Sequence, residues 1–286
     1  AMQSYDRLLA NADPSSSLPL GSANVLLGEQ FEFTVTVSNE ASQTGYAPYL
    51  DLYLPGTGKD GDDGVSFIKA SYLGQALKTH SVVFDASGNA THPLAVDDSG
   101  NPLVIRAADV GLRAGDTLVV VEIPFGSVNQ GQPDIPIQIT AQLSNLADTS
   151  YSAASPDLTI GIRSGFQYGN DALNNPLDDP SLVEGDLHSF VVKPTVIRFE
   201  HSLDMPEGET ATGPNFNHTL VLTAIPADGQ TLNNVVISQT LPATIQVTAI
   251  TPGQNGILTS VTLSDGRVLT NPALITAAIN SDSLFI

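Results

Sequence analysis

The densest chemistry in the sequence lies in Gly56-Thr-Gly-Lys-Asp-Gly-Asp-Asp-Gly64, where three aspartates crowd a glycine-rich loop. Asp60, Asp62 and Asp63 could converge on calcium, a hard cation that takes about 6–8 oxygen ligands, carbonyls and water included. The spacing is not that of an EF-hand loop: Gly64 sits at the fifth position, and Ser71 stands where the bidentate glutamate belongs. The alternative reading is a solvated acidic turn. A second acidic candidate is Asp171, Asn174, Asn175, Asp178, Asp179, Glu184 and Asp186, with Asp171, Asp178 and Asp179 the foremost ligands. These are also ordinary loop formers, so a plain polar loop is the alternative there.

Gly56 to Gly61 also satisfies G-x-G-x-x-G. A dinucleotide site needs a strand before the motif and a helix after it, so that backbone N–H groups and a helix N-terminus face the pyrophosphate. No helical pattern follows, and the three aspartates would repel phosphate. Gly58-Lys59 fails as a P-loop because Asp60 replaces the Ser or Thr that would hold magnesium. His80, His92, His188, His201 and His218 are dispersed, without the close spacing of a zinc site. Neither G-x-S-x-G nor H-E-x-x-H occurs, so no catalytic nucleophile is suggested.

Thirty acidic residues against ten basic ones give a formal charge of −20. Such a surface repels phosphate backbones and anionic headgroups, which argues against nucleic-acid and membrane-surface partners. It suits an extracellular or cation-rich setting. The chain has no cysteine, which excludes disulfides and thiolate metal sites. No run approaches the ~20 apolar residues of a membrane span. Ala1-Met2-Gln3-Ser4 shows no signal pattern; if the protein is exported, its signal and anchor are expected outside this chain.

The elements that must position these residues read as strands. Phe31 to Val37 alternates bulky and polar residues, the period of a strand with one face buried. Tyr49 to Leu54 is a second strand, stopped by Pro55-Gly56, and Val65 to Tyr72 a third. Ser81 to Pro93 is expected to form a hairpin around Asp85-Ala-Ser-Gly-Asn89; a second such turn, Asp97-Asp-Ser-Gly-Asn101, precedes Pro102 to Ile105. Ala107 to Ala114 could form a helical turn. Asp116 to Pro124 is nearly all apolar and therefore central, Ile135 to Ser144 follows it, and Tyr151 to Ile162 closes the first unit. The Gly-, Asn-, Asp- and Pro-rich stretch from Gly161 to Asp186 reads as a domain boundary, with Phe190 to Phe199 opening the second unit. The expected organisation is therefore all-β: two tandem Ig-like Greek-key β-sandwich domains. Residues 1–20 form a lead-in, 21–187 a larger decorated sandwich and 188–286 a second unit.

An internal repeat supports this division. Gly208 to Thr223 echoes the stretch beginning at Gly28, Asn234 to Pro242 echoes the strand ending Leu54-Pro55, and Ser260 to Pro272 echoes Ser81 to Pro93. Ser281 to Ile286 echoes Gly115 to Val120, so the second unit is expected to lack its last strands in this chain. The run Phe33 to Asn39 with Asp51 to Pro55, and Leu220 to Thr223 with Ile237 to Pro242, resembles the Ig-like tandem repeats of large bacterial surface and adhesin-type proteins, which include isopeptide-forming stalks. The resemblance implies a non-catalytic spacer or adhesive module, secreted or on the cell surface. Its implied partners are neighbouring repeats and a cell-surface or extracellular-matrix ligand. The alternative is a carbohydrate- or protein-binding module with a specific site on the first domain. The family also implies a possible Lys–Asn or Lys–Asp isopeptide, for which Lys59, Lys69, Lys78 and Lys193 are the available lysines.

Overall fold

The computed structural model describes residues 12–18, 21–150, 158–168, 182–203, 219–233, 235, 249–251, 260–262 and 266–270. Two compact units divide the chain, residues 1–232 and 233–286. Strands are numbered along the chain.

In the first unit a five-stranded sheet has the order β1 (Pro14–Ser17), β3 (Gln30–Asn39), β12 (Ile135–Leu143), β5 (Val65–Tyr72) and β6 (Gln75–Ala76). The larger sheet runs β2 (Ser22–Leu26), β15 (His188–Thr195), β13 (Thr159–Tyr168), β4 (Gly45–Leu54), β10 (Thr117–Glu122) and β7 (Thr79–Val83). Two short strands join it, β11 (Ser127–Val128) beside β4 and β14 (Val183–Glu184) beside β13. Its pairings are antiparallel except for β2 with β15, which run parallel.

Alternation explains the main core. Phe33, Val35 and Val37 on β3 and Ile137, Ile139 and Leu143 on β12 face Leu50, Leu52 and Leu54 on β4 and Ile160 and Ile162 on β13. Each such side chain contributes about 1.5–3 kcal/mol on burial. The larger sheet is covered on its other face too, by the hairpin of β8 (Asn89–Val96) with β9 (Pro102–Arg106) and the 3₁₀ turn Ala107–Val110. A second core lies there, built on Tyr49, Tyr53, Phe84, Ile105, Leu118 and Val120. The unit is thus three layers deep, and its middle strands β4 and β10 are buried on both faces. That double burial is why Asp116 to Pro124 reads as nearly all apolar.

The repeated D-x-S-G-N motifs fold alike. In each, the aspartate Oδ1 accepts from the serine and asparagine N–H groups: Ser87 at 2.8 Å and Asn89 at 3.0 Å from Asp85, Ser99 and Asn101 both at 2.9 Å from Asp97. The glycines, Gly88 and Gly100, take the positive φ that the turn demands. The strands around the first turn pair differently from the expected Ser81–Pro93 hairpin. β7 pairs with β10 while β8 crosses to the outer layer and pairs with β9.

The expected boundary also falls elsewhere. Gly161 to Tyr168 belongs to β13, in the middle of the larger sheet, and β15, expected to open a second unit, lies between β13 and β2. The glycines that read as breakers are there for aromatic rings. A Cβ on Gly165 would sit 2.2 Å from Tyr49 Oη, and one on Gly161 3.1 Å from the Tyr53 ring. Beyond β15, β16 (Ile197–Leu203) pairs antiparallel with β17 (Leu220–Pro226). The second unit shows one short hairpin among its described residues, β18 (Val261–Thr262) with β19 (Val268–Leu269). Ile237 to Pro242 and Ser281 to Ile286, on which the repeat and the shortened second unit rest, lie outside the described residues.

Candidate functional site

The acidic loop between β4 and β5 is folded by Asp63 and by a neighbour from another loop. Asp63 is buried; its Oδ1 accepts from Asp60 N at 2.9 Å, while its Oδ2 is buried without a partner. Gly64 packs so closely that a Cβ would lie 1.8 Å from Pro55 O. Asp116, also buried, accepts from Thr57 N at 2.9 Å, Thr57 Oγ1 at 2.7 Å and Arg113 N at 2.9 Å, which ties the loop to the start of β10. The structure therefore separates the three predicted ligands. Asp63 points its bonding inward, whereas Asp60 and Asp62 are exposed. No group of three or more metal-ligating side chains occurs among the described residues. Asp171, Asp178 and Asp179 lie outside them.

Beside this loop is an open cleft of about 530 Å³, lined by Gly28, Asp62, Ser66, Gln142, Asn145 and Asp228 among others. Asp62 comes from the acidic loop and Asp228 from the turn after β17. Neighbouring charges are already engaged: Lys59 Nζ binds Asp148 at 2.7 Å, and Arg198 pairs with Glu29. Ser66 and Lys69 stand at S-x-x-K spacing. A bulge at Ile68 puts both on the outer face of β5, opposite Gln142 and Thr140, where both are exposed; Ser66 borders the cleft and Lys69 does not.

A different cluster lies between the larger sheet and the β8–β9 hairpin. Asp51, fully buried on β4, accepts from His92 Nε2 at 2.8 Å and from Tyr53 Oη at 2.8 Å. His92 Nδ1 accepts from Leu94 N at 3.0 Å and Ala95 N at 2.8 Å, which fixes the ring's proton on Nε2. Tyr49 lies tilted against the His92 ring, with centroids 4.8 Å apart. Arg163, opposite Asp51 in the β13–β4 register, donates Nη1 to Glu184 Oε1 at 3.0 Å. Tyr49 Oη, Arg163 Nε and Glu184 Oε2 are buried without partners. Burial raises the pKa of both tyrosines well above the usual range, with the Asp51 charge adding to it. These phenols stay protonated. The sequence hid this cluster because Asp51 and His92 are distant in the chain and each reads as an ordinary strand residue.

The other described histidines do not join it, and His218 lies outside the described residues. His80 Nε2 sits 2.6 Å from Glu122 Oε1, and His188 and His201 are exposed. Of the lysines, Lys59 is held in an exposed ion pair with Asp148, Lys69 is exposed, and Lys78 pairs with Glu122 at 2.9 Å. Lys193 lies half-exposed on β15, in register with Asn24 of β2. No helix among the described residues is long and apolar enough to cross a membrane.

No family model matches the chain, and no curated protein does. Among solved structures, a cohesin module from a Clostridium perfringens family 33 glycoside hydrolase aligns at 8% identity and a TM-score of 0.31, covering 65% of this chain and 99% of that one. The cohesin of the OlpC complex from Clostridium thermocellum aligns at 11% identity and a TM-score of 0.31, over 65% and 97% of the two chains. AvmM, which catalyses macrocyclization in alchivemycin A biosynthesis, aligns at 13% and 0.32, over 64% and 89%. Likenesses this distant say nothing of what the present chain binds.

Proposed function

We propose that this chain is a non-catalytic spacer or adhesive module of a secreted or cell-surface protein. The observation that carries the reading is how its buried ionisable groups are used. Asp51, His92 and Tyr53 bond to one another across two layers, and Asp116 spends both oxygens joining two loops. Groups committed in this way hold layers together; they are not presented to a substrate. Catalytic groups are instead poised in a cleft with unspent bonding capacity, whereas the atoms left unpaired in this layer, Tyr49 Oη, Arg163 Nε and Glu184 Oε2, are shut off from solvent. The formal charge of −20 and the lack of cysteine fit an extracellular, saline setting. Replacing Asp51 by Asn and His92 by Gln tests the reading. Loss of stability with no accompanying loss of any hydrolytic or transfer activity across a substrate panel supports it; an activity that disappears while the fold persists overturns it.

A second reading, a binding module with its site on the first unit, is favoured by the cleft between the acidic loop and Asp228. Asp62 and Asp228 can accept hydrogen bonds from hydroxyl or cationic groups there. Binding to a glycan or protein panel that falls in D62N and D228N, but not in D85N, would select this reading over the spacer.

A further inference from the structure

We propose that Asp228–Gly229 is a site of spontaneous covalent modification, where the fold directs the conversion of aspartate to isoaspartate. The reaction begins when Gly229 N attacks Asp228 Cγ. The new N–Cγ bond closes a five-membered succinimide, and the side-chain hydroxyl leaves with the nitrogen's proton as water. Water then adds back at one of the two ring carbonyls. Attack at Cγ restores aspartate. Attack at the main-chain carbonyl breaks its bond to nitrogen and leaves the backbone running through Cγ, which is isoaspartate. No oxidant or cofactor enters. The step favours glycine, which leaves the nitrogen uncrowded, and a peptide N–H that no hydrogen bond has claimed.

The described residues hold three Asp–Gly steps, and the fold treats them differently; a fourth, Asp265–Gly266, has its aspartate outside them. Asp60–Gly61 is exposed, but Gly61 N donates to Thr57 O at 2.7 Å. Asp63–Gly64 is closed twice over. Gly64 N donates to Gly56 O at 3.2 Å, and the buried Asp63 accepts from Asp60 N through Oδ1 at 2.9 Å. Asp228–Gly229 instead forms the tip of the turn after β17. Gln230 N donates to Ala227 O at 3.0 Å, and of the two central residues only Gly229 takes a positive φ, 75°. That is a type II turn, which makes no internal use of its central N–H. Gly229 N and the Asp228 carboxylate have no hydrogen-bond partner among the described residues. Both residues are exposed, and a Cβ on Gly229 would meet nothing within 4 Å.

The change falls on the rim of the cleft, where Asp228 is a lining residue. Isoaspartate lengthens the main chain by one methylene and moves the carboxylate onto a branch at Cα, which displaces Gln230 N from Ala227 O. The disturbance stops there. Ala227 is buried with its N–H on Val196 O at 2.9 Å, and Pro226 is paired with Ile197, so β17 keeps its place. The isomerisation needs no ligand in the cleft. Its pH signature follows from the leaving group: a protonated carboxyl expels water far more readily than a carboxylate can, so ring closure quickens toward acid. An asparagine at the same place expels ammonia once the peptide nitrogen gives up its proton, and so quickens toward base.

Warm incubation of the whole folded chain at pH 5.5 and pH 8 tests this. The chain is then unfolded and digested with the protease Asp-N, which cuts before aspartate but not before isoaspartate. Cleavage before residue 228 should be lost several-fold faster at pH 5.5 than at pH 8, and several-fold faster than cleavage before Asp60 or Asp63. Incubation in urea should bring the three steps to similar rates, because the fold no longer chooses between them. Asp228→Asn should release ammonia several-fold faster at pH 8 than at pH 5.5. Cleavage before residue 228 that persists at both pH values, or is lost no faster than cleavage before Asp60, overturns the proposal. So does a lead for residue 228 that survives in urea, or an Asp228→Asn variant with the wild-type pH order.

Discussion

His92 and Asp51 meet across two layers of the fold, Nε2 to Oδ1 at 2.8 Å, with both side chains shut off from solvent. His92→Ala would leave Asp51 buried and short of one donor. Breaking a buried pair from one side costs roughly 3–5 kcal/mol. Asp51→Asn is expected to cost less, since its amide oxygen still accepts from Nε2–H and its NH₂ can donate to Tyr53 Oη. Urea unfolding of the two variants should place the histidine change well below the aspartate change in stability; the reverse order would show that Asp51 matters through other contacts.

Gly165→Ala should be far more harmful than an ordinary glycine change. Its Cβ would lie 2.2 Å from Oη of the fully buried Tyr49, and overpacking costs typically about 1–3 kcal/mol. Gly21→Ala meets nothing within 4 Å and should be neutral. Thermal melts of the two variants check the contrast.

In the acidic loop, position rather than charge should decide the outcome. Asp60→Asn and Asp62→Asn alter exposed side chains and should stay within about 0.5 kcal/mol of wild type. Asp63→Ala removes the buried acceptor for Asp60 N and should cost about 1–3 kcal/mol. Melting the same variants in millimolar calcium and in chelator tests the cation expectation directly. A calcium-dependent rise that vanishes in Asp63→Ala assigns an ion to the loop, and coincident midpoints assign Asp60 and Asp62 to solvent.

Glu122 should make the fold lose stability towards acid. Its hydrogen bond from His80, and then that from Lys78, hold its pKa below the usual carboxylate range. A lowered folded pKa gives stability that is present above the unfolded value and is lost as pH falls through the folded one. The side chains are partly exposed, so the effect is small, about 0.2–1 kcal/mol. Glu122→Gln should flatten the acid limb of the stability profile; an unchanged limb would show the pair to be inert.

Much of the framework could be read from the sequence because alternation and turn chemistry are local. Phe31 to Val37, Val65 to Tyr72 and Ile135 to Ser144 lie where strands β3, β5 and β12 form, and both D-x-S-G-N motifs are turns. The pairing of β8 with β9 was not legible, because two strands flanking one turn need not share a sheet. Nor was the extent of the first unit: Gly161 and Gly165 look like breakers until the rings of Tyr53 and Tyr49 are seen lying across them. The polar layer was hidden for a related reason. Asp51 and Arg163 are neighbours only through the β4–β13 register, and His92 arrives from a third strand.

The parallel pairing of β2 with β15 sets an order of events. Ser22 has Val191 as its ladder partner, so a strand near one end of the unit waits for one made much later. On a ribosome, β2 and the edge of β13 would stand unpaired until the chain has passed Thr195, and loop closure over that span makes the final pairing slow. Through that interval, the protein's hazard is another nascent copy offering its own β15 first.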